Sequence, residues 1–318
     1  MDWTMALGAF VVGTIVGLTG MGGGALMTPM LVLFFNVSPL AAVSSDLVAS
    51  AVMKPVGSIV HIRNGTVRWD LVRWLCLGSV PAAFGGVLFS RGLADAYGGG
   101  VDTFVGKALG IALLIAAAGL FVRAYLRLAE RAAHRDGRRP PDPVGRPSLL
   151  VRPGPTLLVG VIGGLVVGMT SVGSGSLIII TLMLLYPSLR ASELVGTDLA
   201  QAVPLVASAA VGHMIFGDFQ MTVTGALLLG SVPGAYVGAQ LSTRLPGALI
   251  RRTLGFVLLA SAMKQLGVPS VATGVILAAA LALAAPVWML LRRGHGFPAL
   301  PSREAAEAEP VSAAPGTH

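Results

Sequence analysis

Lys54 stands in the apolar stretch DLVASAVMKPVG, with Asp46 eight residues before it and Ser50 between them. At helical spacing these three side chains share one face. An ammonium, a carboxylate and a hydroxyl in such a setting can hold an anion or carry a proton. They can equally form a structural ion pair, and a lysine near a helix end can snorkel its ammonium to the membrane edge. Asp198 lies in a corresponding stretch that has Val206 where the first has Lys54, so any site built on charge is asymmetric. Asp198, like Asp46, reads either as a proton carrier or as a helix cap that accepts from backbone N–H groups. His61 and His213 sit near the ends of apolar segments. Imidazoles there can titrate near neutral pH or bond a carbonyl at the membrane interface.

Two small-residue clusters add further chemistry. GLTGMGGGALMTP, residues 17–29, contains Gly20, Gly22, Gly23 and Gly24, and TSVGSGSL, residues 170–177, contains Ser171, Gly173, Ser174, Gly175 and Ser176. Gly20, Gly22 and Ala25 have the G-x-G-x-x-A spacing of a dinucleotide loop, but that loop needs a preceding strand and a soluble βαβ unit. Neither is present in this apolar surrounding. The serines of the second cluster offer hydroxyl donors to oxyanion oxygens. Neither Ser174 nor Ser176 has the full sequence context of a serine nucleophile, and no H-E-x-x-H or P-loop motif occurs. An enzyme is therefore the weakest reading, and no cofactor or metal is expected.

The elements that must position these residues follow from composition. The chain is 54% hydrophobic and 11% charged, with a mean hydropathy of +0.81, which places it in a bilayer. The formal charge of +8 gathers as arginine between apolar runs, where cytoplasmic loops carry it, so lipid headgroups rather than nucleic acid are the expected neighbours. The single cysteine, Cys76, reads as a packing residue. Apolar segments run near 5–35, 39–62, 70–90, 103–126, 155–187, 193–216, 221–242, 248–267 and 270–291. Most match the ~20 residues of a membrane-spanning helix. The two long ones, 5–35 and 155–187, would be about 45–50 Å as continuous helices against a ~30 Å hydrocarbon core. Each has one of the glycine clusters near its middle.

Residues 43–90 align without a gap onto 195–242: Asp46 onto Asp198, His61 onto His213, Gly65 onto Gly217, and LGSVPAAFGG onto LGSVPGAYVG. The expected fold is therefore an all-α polytopic membrane protein of two homologous repeats. Each repeat comprises a glycine-broken re-entrant or discontinuous helix and three spans. The divisions are 1–127 and 153–267 for the repeats, 128–152 for a basic Pro-rich cytoplasmic linker, 268–293 for an extra span, and 294–318 for a disordered tail. If the long segments turn back at their glycines, the repeats are inverted, and nearly all arginines fall on the cytoplasmic side, including linker residue Arg138 and tail residue Arg303. Paired breaks at corresponding places point to a central site, since non-helical backbone at membrane depth must be buried in protein or line a cavity. A helix beginning after each break would turn free N–H groups and a positive dipole end toward an anion. Close packing of small residues is the alternative use of the glycines.

GLTGMGGGALMTPML, VSSDLVAS, HIRNGTVRWD and GSVPAAFGG, with a degenerate second copy, resemble the TauE/SafE family of bacterial membrane permeases over residues 5–267. The resemblance implies a multi-pass protein of the bacterial inner membrane that moves a small sulfur-containing oxyanion such as sulfite, sulfoacetate or another organosulfonate, commonly outward. A secondary transporter working by alternating access is the leading expectation, with a proton or sodium ion as coupling partner. An anion channel is the runner-up.

Overall fold

The computed structural model describes residues 2–19, 23–97, 100–136, 149–217, 219–241 and 247–298. These residues form α1 (Trp3–Thr19), α2 (Gly24–Phe34), α3 (Pro39–Arg63), α4 (Trp69–Tyr97), α5 (Val101–Arg135), α6 (Pro153–Thr170), α7 (Leu177–Leu185), α8 (Ala191–Phe216), α9 (Met221–Leu241), α10 (Gly247–Gln265) and α11 (Ser270–Gly294). Seven of them, α3 to α6, α8, α9 and α11, are long and apolar enough to cross a membrane. α10 is not one of the seven; its sequence carries Arg251, Arg252 and Lys264. α5 continues through Arg135, so the first residues of the segment assigned to the linker are helical. The run RLAERAAHR explains this, because Arg, Leu, Ala and Glu are strong helix formers. Arg138 and Arg303 lie outside the described residues.

Both long apolar segments are broken where the glycines fall. In the first, α1 ends at Thr19 and α2 begins at Gly24 on either side of residues 20–22, which lie outside the described residues; the second breaks between Thr170 and Leu177. In the second break Ser171 takes a left-handed conformation at φ 58°, followed by Gly173 at φ 136° and Gly175 at φ 91°. A side chain is strained at such angles, which is why glycine occupies two of the three. Each segment then doubles back. A Cβ on Gly8 of α1 would stand 3.1 Å from Met30 and 3.5 Å from the ring of Phe35, just past the end of α2. Tyr186, at the end of α7, places its hydroxyl 2.5 Å from Thr156 Oγ1 in the first turn of α6 and accepts from the N–H of Arg152 at 2.9 Å. The two ends of each segment therefore lie together.

The chain divides into two compact units, Met1–Leu120 with Leu150–Val268, and Phe121–Leu149 with Pro269–His318. In the first unit α1 packs along α9 and α6 packs along α4. Small residues bring these backbones together. Gly160, Gly164 and Gly168 recur every fourth residue on α6, as Gly230, Gly234 and Gly238 do on α9. A Cβ at Gly164 would strike the backbone of Ser79, and one at Gly13 would strike Ser231. Likewise Gly78 abuts the carbonyl of Leu157 and Gly86 that of Leu165, while Gly230 abuts the carbonyl of Ala6 and Gly238 that of Thr14. Such close approach supplies the dispersion contacts that hold helices together in lipid, where burial of apolar surface gives no advantage over lipid tails. α3 and α8 also pack against each other in this unit. In the second unit Arg135, at the end of α5, donates to the carbonyls of Gly296 at 2.6 Å and His295 at 3.0 Å, and its guanidinium lies over the ring of Phe297.

Candidate functional site

α3 begins at Pro39, with Ser38 as its cap accepting from the N–H of Ala41, and carries Asp46, Ser50 and Lys54 down one face. Asp46 is 1% exposed and Lys54 6% exposed. A charge removed from water this far needs partners. Asp46 accepts from Ser171 Oγ at 2.6 Å, from Thr28 Oγ1 at 3.0 Å and from Ser50 Oγ at 3.5 Å. One carboxylate thus joins α2, α3 and the second helix break. Lys54 Nζ donates to Ser174 Oγ at 2.6 Å, inside the same break. The Lys54 charge also interacts through space with both Asp198 and Asp46. The ammonium therefore sits in the field of two carboxylates, one from α3 and one from α8.

The two breaks meet here. A Cβ on Gly24, the first residue of α2, would collide with the carbonyl of Ser171, and one on Gly23 would stand 2.9 Å from Met53 and 3.7 Å from Ser50 Oγ. The absence of side chains at Gly23 and Gly24 lets the start of α2 rest on the second break. Gly20 and Gly22 lie outside the described residues. Of the other sequence candidates, Lys54, Ser171, Gly173, Ser174, Gly175, Ser176 and Asp46 converge at or beside the second break.

Two details differ from expectation. The N–H groups of Ser176, Leu177 and Ile178 do not point outward; all three turn to the carbonyl of Gly173, at 3.4, 3.0 and 3.3 Å. The tight glycine backbone of the break brings that carbonyl under the first turn of α7, and the donors are used internally. Asp46 does not cap its own helix either, since it lies two turns inside α3, and Asp198 stands equally deep in α8. Asp46 holds hydroxyls rather than backbone N–H groups, and Gln201 Nε2 donates to Asp198 at 3.4 Å.

The histidines separate. His61, half-buried near the end of α3, places Nδ1 3.0 Å from Thr66 Oγ1. His213 is fully buried and links three helices: Nε2 lies 2.8 Å from the carbonyl of Gly168 in α6, and Nδ1 lies 2.8 Å from Ser44 Oγ in α3. Since a carbonyl only accepts, Nε2 carries a proton. Sequence reasoning passes over Thr28, Ser44 and Gln201, because a hydroxyl or amide in an apolar helix more often bonds its own backbone. Thr28 has one signal, its place as a polar residue a turn beyond the GMGGG run in sequence.

Seven helices long and apolar enough to cross a membrane, with buried charged side chains beside the second helix break, suit a polytopic membrane transporter. The family model for the sulfite exporter TauE/SafE matches residues 5–265, and the chain belongs to that family. It is 34% identical over 264 residues to the Bacillus subtilis protein described as "Probable membrane transporter protein YjnA", covering 83% of this chain and 99% of the relative. It is also 23% identical over 245 residues to "Probable membrane transporter protein YdhB" of the same organism, covering 77% of this chain and 92% of the relative. No solved structure matches the chain.

Proposed function

We propose that this protein exports a small oxyanion, such as sulfite, sulfoacetate or another organosulfonate, across the bacterial cytoplasmic membrane by alternating access. The observation that carries the reading is the Lys54 ammonium, buried and bonded to Ser174 within the second helix break, at the place where the first break meets it. An anion leaving water needs a compensating charge, and Lys54 supplies it while Ser171, Ser174 and Ser176 supply hydroxyls. Two repeats related by inversion provide the moving parts. Their support is an exchange of partners between the halves: α1 lies on α9 as α6 lies on α4, through matching glycine and carbonyl pairs. The doubled-back segments then act as re-entrant hairpins opening from opposite faces.

Charge balance supports a proton as the coupling ion. With Lys54 and both carboxylates ionised, the centre is already negative by one, and a bound anion makes it negative by two. A proton on Asp46 or Asp198 restores the balance, so anion and proton travel together. Proteoliposome counterflow against sulfite, thiosulfate, sulfoacetate, taurine and simple carboxylates tests the reading. Saturable exchange of the sulfur oxyanions that Lys54→Met lowers at least tenfold supports it; undiminished exchange in Lys54→Met overturns it.

A further inference from the structure

Away from this centre, a cleft opens where α3 begins and where α4 and α8 end. It is lined by Leu40, Ser90, Arg91, Val101, His213 and Gly217, among others. Its position along α3 is about 20 Å from Lys54, at 1.5 Å per residue. The geometry points to a second small-oxyanion site here, an outer station separate from the Lys54 centre. The choice of anion rests on the function proposed above.

Two observations lead there. Arg91 borders the cleft, and its guanidinium, a fork suited to oxyanions, donates Nη1 to the carbonyl of Phe216 at 3.4 Å, which fixes it across the end of α8. Ser90, 1% exposed, also lines the cleft, and its Oγ has no hydrogen-bond partner among the described residues. A buried hydroxyl without a partner costs stability unless something else bonds it, and an oxyanion oxygen would. Leu40 and Val101 bring the N-terminal turns of α3 and α5 to the same place, where the Asp102 carboxylate already accepts from the N–H of Leu40 at 3.3 Å, so the positive charge facing an anion here is that of Arg91.

His213 connects this cleft with the centre. Its Nε2 is tied to Gly168, three residues before Ser171, the serine that holds Asp46. Ser44 Oγ has one proton to give and two acceptors at 2.8 Å, the carbonyl of Leu40 and His213 Nδ1. A neutral imidazole takes that proton; an imidazolium donates to Ser44 and returns it to Leu40. An anion resting beside the ring favours the second arrangement. Gly217 enforces the contact, since a Cβ there would stand 2.7 Å from Nδ1 and 2.8 Å from Ser44 Oγ.

Equilibrium dialysis of radiolabelled sulfite on the purified full-length protein tests the site. Wild type should bind two anions per chain, and Lys54→Met and Arg91→Gln one each. Gln is too short to keep the bond to Phe216, so an unchanged thermal melt of Arg91→Gln is the check that the end of α8 stays folded. Ser90→Ala should keep both sites but weaken one about tenfold, the loss of one hydrogen bond to a charged group. One anion per chain in wild type overturns the proposal, as do two unaltered sites in both Arg91→Gln and Ser90→Ala. The same measurement in nanodiscs of phosphatidylcholine with and without phosphatidylglycerol separates a soluble anion from a lipid headgroup. If the chain binds one sulfite in both and retains phosphatidylglycerol only when Arg91 is intact, the site belongs to lipid and the proposal fails. Two sites in Lys54→Met but one in Arg91→Gln would leave this station standing and place the other anion away from Lys54.

Discussion

Asp46 accepts from three hydroxyls while Lys54 donates to the hydroxyl of Ser174, so the two charges of α3 answer differently to substitution. Ser174→Ala removes this partner of the ammonium without removing the charge. It should raise the sulfite half-saturation constant several-fold with little change in maximal rate, as read by proteoliposome flux against concentration. Ser171→Ala acts on the joint between α3 and the break, and should lower the maximal rate instead. The ionisable pair is legible from sequence because a lysine and an aspartate in an apolar helix have few inexpensive places to be. Thr28 is not, since its role depends on the first break meeting the second, and nothing in local spacing encodes that encounter. The free N–H groups expected at the start of α7 fail for a related reason: glycine permits many loops, and the one formed here closes on the carbonyl of Gly173.

At the level of helices, glycine has two uses that sequence cannot separate. Gly24 and Gly230 face backbone carbonyls, of Ser171 and Ala6, whereas Gly57 in α3 has nothing within 4 Å of where a Cβ would lie. Gly24→Ala and Gly230→Ala should therefore destabilise the protein by about 1–3 kcal/mol through overpacking against rigid backbone. Gly57→Ala should stabilise α3 by about 0.5–1 kcal/mol, since helical glycine gives way to a better helix former. Thermal unfolding followed by size-exclusion chromatography in detergent reads both signs. Equal melting in all three variants would mean the close contacts carry no energy. Helix positions themselves are readable, because charges, Pro and Gly punctuate apolar runs. The length of α5 is not, as the charged run after its apolar part has high helix propensity yet looks like linker.

For the molecule as a whole, the hairpin reading fixes which ends share a face of the membrane. In a Cys76→Ala background, single cysteines at Asp2 and Asn36 should react with an impermeant thiol reagent in intact cells, and cysteines at Arg152 and Arg190 should not. Reaction at Asn36 and Arg190 alike would reject the inverted arrangement. Coupling is a property at the same scale: an imposed proton gradient should drive sulfite accumulation in proteoliposomes and an uncoupler abolish it, whereas dependence on sodium alone would remove the proton from the scheme. The paired glycine contacts treat the two halves alike, yet Lys54 on α3 corresponds in sequence to Val206, buried on α8. A carrier with one cation set to one side of an otherwise balanced frame presents unlike thresholds to cargo arriving from its two faces. Thermodynamics forbids that difference from creating a net driving force, so it must reappear as kinetics: the face that holds the anion more tightly releases it more slowly. If Lys54 is the anion's counter-charge, half-saturation and maximal rate should both differ between efflux and influx, in compensating proportion.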